Sequence, residues 1–411
     1  MQMKITMPAR GRTYRVLAIV SLIAVPAMLT ACAPYVVQAS VGQPSAGESS
    51  RARPSSGQAG RVRATPMPPP QAALHGQSVG LGRNGQAWGT TKTDKQVLLR
   101  TPHGWQTVTL PVAPAAGDSV AVTGDTVVAV GFQGEDMVVQ SSRDLGKTWS
   151  TKTVRASQSA AGASITVSST TGRFLTGAQQ ISSLGVVAPP GPAFVGDDAS
   201  SLREVSLPGD AKGAGWAGNA LLATGGGVGG AGTRLLRSDD SGESWTDLTA
   251  KITGVEPPSQ DIPAGQPYFG PVLGLDDGTA VALEETLTGT GISCKVFHFA
   301  NDGTYAHVAS FSFMAEIAGG PVALVSSTYG ADAVIVAAPD SATFIVVKMD
   351  GEVNSIPAVG LPAGPEAISF QDDANGLARV STSSCASDKT HCASTSATYA
   401  TTDGGYSWSA V

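Results

Sequence analysis

Charge is scarce in this chain. Asp, Glu, Lys and Arg make up 14% of its 411 residues, and a composition so poor in charge points away from long surface helices, which need a polar face. Metal-ligand spacing is also missing. No Cys or His pair recurs at the short intervals of zinc sites, and His75, His103, His298, His307 and His391 are scattered. The Gly-rich stretch 225–232 has neither Lys-Ser/Thr nor a helix after it, so it reads as an interstrand loop and not as a phosphate cradle. No cofactor and no metal are expected. What the chain has instead is 50 Gly, 26 Pro and many Val, Ala, Ser and Thr residues, a composition suited to short strands joined by turns. Its length allows one large all-β domain or two ordinary ones.

The first 31 residues form a segment of their own. Lys4, Arg10, Arg12 and Arg15 precede the uncharged run Val16 to Leu29, which is too short to span a bilayer comfortably and right for the apolar part of a secretory signal. The run leads into Leu29-Thr30-Ala31-Cys32, which resembles the lipobox of bacterial lipoproteins. In that family, small residues before the cysteine fit the signal peptidase and the thiol takes a diacylglyceryl group. The resemblance implies removal of residues 1–31, a lipid on Cys32, and anchoring to a cell-envelope membrane on its extracytoplasmic side. Several acyl chains hold firmly, because each buried CH₂ adds about 0.8 kcal/mol. An ordinary signal peptide with a cysteine at its border is the alternative.

Residues 32–75 read as a lipidated terminus followed by a disordered tether rich in Ser, Gly, Gln, Pro and Ala. Such a composition buries too little apolar surface to offset the entropy of ordering, and its random-coil reach is on the order of 35 Å. Removing residues 1–31 moves the formal net charge from −6 to −10. The tether carries four arginines against Glu48, so residues 76–411 hold 18 basic and 31 acidic groups, a net of −13. Nucleic acid is excluded as a partner for such a domain. Cys385 and Cys392 lie in a Ser/Thr/Asp-rich stretch and make a candidate disulfide worth about 2.5 kcal/mol on the chain-entropy estimate. Cys294 is then left over as a small buried residue. A zinc site from Cys385, His391, Cys392 and a distant ligand is the other arrangement these residues allow.

Beyond residue 76 an internal repeat is present. Its clear copies are Ser142-Arg143-Asp144-Leu145-Gly146-Lys147-Thr148-Trp149, Ser238-Asp239-Asp240-Ser241-Gly242-Glu243-Ser244-Trp245 and Thr401-Thr402-Asp403-Gly404-Gly405-Tyr406-Ser407-Trp408. Each reads Ser/Thr-x-Asp-x-Gly-x-Thr/Ser-Trp. These segments resemble the Asp boxes, or BNR repeats, of sialidases, sortilin-type receptors, some glucan hydrolases and photosystem II assembly factors, where the box turns the third strand of a propeller blade into the fourth. Weaker copies stand at Gly104, Ser200, Gly303 and Gly351. With Gly146, Gly242 and Gly405, these markers are spaced by 42, 54, 42, 61, 48 and 54 residues. The resemblance and the period together imply one seven-bladed β-propeller of four-stranded antiparallel blades over residues 76–411. Typical blades parse as Ser119–Thr123, Thr126–Phe132, Met137–Ser141 and Thr148–Val154, and as Pro271–Leu275, Ala280–Glu284, Cys294–Phe299 and Tyr305–Phe311. Asp144, Asp240 and Asp403 are expected to be structural: the carboxylate takes backbone N–H groups of its own turn, Gly146, Gly242 and Gly405 take positive φ, and Trp149, Trp245 and Trp408 cover the blade.

The enzyme to test first among such families is sialidase, which needs an arginine triad and a Tyr/Glu nucleophile pair. The chain has no Phe/Tyr-Arg-Ile/Leu-Pro segment, and Arg143, Arg234 and Arg237 fall in or near the repeat turns. A glycoside hydrolase is the broader alternative. Its acids would come from Glu284 and Glu285, from Asp276-Asp277 or from Asp372-Asp373, with two carboxylates from different blades meeting near the channel. The photosystem II assembly factors carry a basic patch that a net charge of −13 lacks. The expected function is therefore a non-catalytic binding or assembly module of the cell envelope, monomeric, presenting one propeller face to a protein or glycan.

Overall fold

The computed structural model describes residues 78–411 except 82–86, 91–94, 102–103, 116–118, 156–159, 181–192, 209–212, 226–232, 255–266, 289–290, 315–323, 339–340, 342 and 386–391. Cys32, the signal segment and the tether lie outside these residues. The strands form seven antiparallel sheets, each a simple meander of consecutive strands. Blade 1 holds β1 (Ser78–Leu81), β2 (Ala87–Thr90), β3 (Gln96–Thr101) and β4 (Gly104–Thr109). Blade 2 holds β5 (Val120–Thr123), β6 (Thr126–Gln133), β7 (Asp136–Ser142) and β8 (Ser150–Arg155). Blade 3 holds β9 (Ala160–Val167), β10 (Phe174–Gln180), β11 (Ala193–Gly196) and β12 (Arg203–Val205). Blade 4 holds β13 (Gly213–Ala217), β14 (Ala220–Gly225), β15 (Arg234–Ser238) and β16 (Thr246–Asp247), and a short helix α1 (Thr249–Thr253) follows it. Blade 5 holds β17 (Pro267–Phe269), β18 (Leu273–Gly274), β19 (Ala280–Thr288), β20 (Gly291–Phe299) and β21 (Tyr305–Met314). Blade 6 holds β22 (Val325–Tyr329), β23 (Ala333–Ala337), β24 (Thr343–Lys348) and β25 (Val353–Pro357). Blade 7 holds β26 (Ala367–Phe370), β27 (Gly376–Cys385), β28 (Cys392–Thr401) and β29 (Ser409–Ala410).

Both faces of a blade are buried, and this explains the apolar runs in the sequence. On β6, Val128 and Val130 pack toward blade 3 while Val127 and Ala129 pack toward blade 1. On β23, Val334 and Val336 face blade 5, and Ala333, Ile335 and Ala337 face blade 7. Side chains alternate across a strand, so a strand buried on both sides reads as a continuous hydrophobic stretch. The described residues contain seven such hydrophobic clusters, one in each seam between neighbouring blades. First strands meet around the ring: β5 with β9, β9 with β13, β13 with β18, β18 with β22, β22 with β26, and β26 with β1. The molecule is a seven-bladed β-propeller.

The closing seam brings blade 7 against blade 1. Among the described residues, the strands of each of these two blades are consecutive in sequence. Its apolar cluster includes Leu81 from blade 1 and Leu377 and Ala400 from blade 7, with Leu98, Trp105, Ala367 and Val411 packed against them. A buried cation adds to it: Arg100 on β3 donates from Nη2 to Ser369 Oγ on β26 at 2.7 Å. Burial lowers the Arg100 pKa to about 9, with the charge of Asp372 opposing the shift, so the guanidinium stays protonated at neutral pH.

Two strand expectations need correction in blade 5. The inner strand expected at Pro271–Leu275 is divided into β17 and β18: Phe269 pairs with Glu284 and Leu273 with Val281, so the three residues 270–272 on one side face the two residues 282–283 on the other. Pro271 lies in that bulge, where a residue without an N–H is tolerated. The second strand does not stop at Glu284. It continues to Thr288 because Glu284 and Glu285 are buried in the seams and are not solvated turn residues.

Arg100→Ala is expected to lower the unfolding free energy by about 3 kcal/mol, because it leaves a buried polar seam without its cation. Chemical denaturation at pH 7 measures this; an unchanged midpoint would show that the apolar seam closes the ring unaided.

Candidate functional site

The three repeat turns share one set of bonds. In the first, Ser142 Oγ accepts from the Gly146 N–H at 2.7 Å and donates to Asp144 Oδ1 at 2.7 Å. Asp144 in turn accepts from the Thr148 N–H at 2.8 Å and its hydroxyl at 2.7 Å. Trp149 Nε1 donates to the Gly146 carbonyl at 3.0 Å. The second turn repeats this with Ser238, Asp240 and Ser244, except that Trp245 Nε1 donates to Ser206 O in blade 3. The third uses Thr401, Asp403 and Ser407, with Trp408 Nε1 on the Gly405 carbonyl at 2.8 Å. Gly146, Gly242 and Gly405 have φ of 82°, 95° and 95°, in the region where a Cβ is strained. The bonds from Thr148 hold Asp144 near a pKa of about 2, and those from Ser244 lower Asp240 further. For Asp403 burial pulls upward, but the Ser407 and Thr401 bonds prevail and the pKa falls. All three carboxylates spend their acceptor positions within their own turns.

The arginines are absorbed in the same way. Arg143 donates to Asp197 O at 2.6 Å, from the blade 2 turn to that of blade 3. Arg173 reaches Asp197 Oδ1 at 2.8 Å and Ser241 Oγ at 3.0 Å. Arg203 donates to the carbonyls of Asp240 and Ser241 at 3.0 Å, and Arg237 to Gly303 O at 2.7 Å in blade 5. In blade 3, where the repeat is nearly erased, Asp198 caps a 3-10 turn (Ala199–Ser201) and Ser141 of blade 2 supplies the hydroxyl, accepting from the Ala199 N–H at 2.8 Å. The ring end that carries the third-to-fourth strand turns is thus laced from blade 2 to blade 5. In a meander, the fourth-to-first and second-to-third connections leave from the opposite end.

The one concentration of buried titratable groups among the described residues lies in blade 5. Glu285 on β19 stands in register between Tyr268 on β17 and Cys294 on β20, and its row faces blade 6, since Cys294 belongs to the seam with Leu324 and Val336. The carboxyl fits because position 270 is glycine: a Cβ there would lie 2.6 Å from Glu285 Oε1. Burial raises the Glu285 pKa to about 8, partly offset by the Tyr268 hydroxyl and the Leu324 N–H. Burial and the neighbouring Glu285 raise Tyr268 and Cys294 as well. The Tyr268 hydroxyl points to the carboxyl without closing a full hydrogen bond, and Glu285 Oε2 has no hydrogen-bond partner among the described residues. Glu284 projects to the other face, toward blade 4, where Lys295 Nζ meets its Oε1 at 2.7 Å.

Adjacent strand residues point to opposite faces, so Glu284 and Glu285 cannot act on one glycosidic bond. Asp277 and Asp372 serve their own turns, accepting from the Thr279 and Ala374 N–H groups at 2.9 and 2.8 Å. No group of His, Cys, Asp and Glu among the described residues has metal-binding geometry. Cys385 and Cys392 face each other in the register of β27 and β28, and Cys294 is buried with a free thiol. Sequence reading missed the roles of Tyr268 and Arg100. A single Arg or Tyr inside a strand carries no local signal that another blade will bury it.

The pH dependence follows from Glu285. Its carboxyl ionises in the unfolded chain near 4.5 and in the folded protein near 8, so its contribution to stability is fully present below pH 4.5, falls as pH rises between these values, and is level above them. Glu285→Gln is expected to remove that fall and to gain up to about 3 kcal/mol on wild type between pH 5 and pH 8. Unfolding free energies across that range check it; parallel pH profiles for the two proteins would refute it.

No protein-family model matches this chain, and no curated protein does. Among solved structures, a streptogramin B lyase is similar over 74% of this chain and 89% of its own, at 12% identity and a TM-score of 0.43. The virginiamycin B lyase of Staphylococcus aureus is similar over 74% and 90%, at 15% identity and a TM-score of 0.40. TolB from Acinetobacter baumannii is similar over 70% and 63%, at 12% identity and a TM-score of 0.35.

Proposed function

We propose that this protein is a non-catalytic binding or assembly module of the cell envelope, held at a membrane through a lipid on Cys32. Its ring presents the end opposite the repeat turns to a protein or glycan partner. The observation that carries this reading is the placement of the acids. Glu284 and Glu285 are enclosed in different seams, and Asp144, Asp240 and Asp403 are saturated by their own turns. These carboxylates build the ring and leave no converging pair for hydrolysis. The Ser/Thr-x-Asp-x-Gly-x-Thr/Ser-Trp turns support kinship with the Asp-box propellers, with the arginines serving the scaffold and not a substrate carboxylate.

A rigid ring suits recognition because its loops are ordered by a scaffold that does not have to move. Connections on a fixed frame are where binding surfaces form. A flexible tether of residues 33–75 lifts such a surface away from the lipid head groups.

Fractionation and capture test the reading together. The mature protein is expected in the membrane fraction without residues 1–31, and Cys32→Ala is expected to release it or leave it unprocessed. Unchanged cleavage and retention in that variant would remove the lipid anchor. Immobilised residues 76–411 are expected to retain a protein or glycan from envelope extract without turning it over. Hydrolysis of a polysaccharide, abolished by Glu284→Gln or Glu285→Gln, would replace binding with catalysis.

A further inference from the structure

Hairpin β27–β28 is longer than the strands on either side of it. The two strands pair over ten positions, from Gly376 with Thr401 to Cys385 with Cys392. The inner strand β26 pairs with Gly376 to Arg379, and the outer edge, β29 with Val411, bonds to Thr398, Tyr399 and Ala400. Residues 380–385 and 392–397 run on as a two-stranded ribbon toward the end opposite the repeat turns. After Val380, which is buried, the ribbon is built of Ser, Thr, Ala and the two cysteines. Thr382 and Thr395 are exposed and join hydroxyls across it at 3.0 Å. A two-stranded ribbon with no run of large apolar side chains is marginal in water by itself.

We propose that Cys385 and Cys392 form a cross-strand disulfide that closes this ribbon into a rigid arm projecting from blade 7. Residues directly opposed in an antiparallel ladder have Cα atoms about 4.5 or 5.5 Å apart, and both spacings lie inside the range of disulfides, about 4.4 to 6.8 Å. Cys294 is no competitor, because it is fully buried in the seam between blades 5 and 6. The chemistry is exchange with the disulfide of an envelope thiol oxidase. One cysteine, as thiolate, attacks a sulfur of the donor disulfide and forms a mixed disulfide; the other, also as thiolate, displaces the donor. The donor leaves as a dithiol carrying two electrons and two protons, and the arm keeps the new S–S bond. The inference does not depend on whether the ring binds a protein or a glycan.

Alkylation under denaturing conditions and hydrogen exchange test it on the full chain, purified under oxidising conditions. Of Cys294, Cys385 and Cys392, only Cys294 is expected to be alkylated before reduction, with the intact mass lower than that of the reduced protein by two hydrogens. Reduction with a phosphine is expected to speed exchange of amides 381–398 by about tenfold, while the β23 and β24 amides keep their protection. The double variant Cys385→Ser, Cys392→Ser is expected to match reduced wild type and to ignore the phosphine. Alkylation of Cys385 and Cys392 without reduction would overturn the bridge. Equal ribbon exchange in the oxidised and reduced protein would overturn its role as a clamp.

Discussion

The structure depends on burying both faces of every blade. A four-stranded sheet with apolar side chains on both sides has no stable existence in water by itself, and here each sheet finds a neighbour on each side. Val127 and Val128, or Val334 and Ile335, are adjacent in sequence but belong to different seams. This arrangement has to close on itself, because an open row of blades would leave two apolar faces exposed. Closure falls on the seam between blades 7 and 1, where Leu81 packs against Leu377 and Ala400 and Arg100 reaches across to Ser369.

Polar chemistry follows from that packing. Low charge leaves few side chains to spare, and the structure commits most of those it describes to positions between turns and between blades. Arg143, Arg173, Arg203 and Arg237 tie one blade's turn to the next. Asp144, Asp240 and Asp403 tie each turn to itself. Glu285 is the exception: a carboxyl in an apolar seam that stays neutral near pH 7 because water cannot reach it. Such a group is often a sign of function. Buried between two blades at 1% exposure, it makes the stability of the fold depend on pH.

Blade count and turn positions were legible because a hairpin turn is a local object. Gly104, Gly146, Ser200, Gly242, Gly303, Gly351 and Gly405 stand at or beside the third-to-fourth strand turn of successive blades. The residues that make such a turn lie within eight positions of one another and bond mostly among themselves. Strand ends were less legible. The break at Pro271 and the continuation of β19 through Glu284 and Glu285 are set by which residues a neighbouring blade covers, and no window of sequence contains that neighbour.

The sequence by itself determined the all-β class, the period and the identity of the turn staples, since hydrogen-bonding geometry within a short turn needs no distant partner. Packing of distant strands settled that Glu284 and Glu285 face different seams, that Arg100 bonds across from blade 1 to Ser369 in blade 7, and that Cys385 and Cys392 are register partners in one hairpin. Each of these depends on strand register or on contact between blades far apart in the chain. Register and ring closure are fixed only when all seven sheets are packed together.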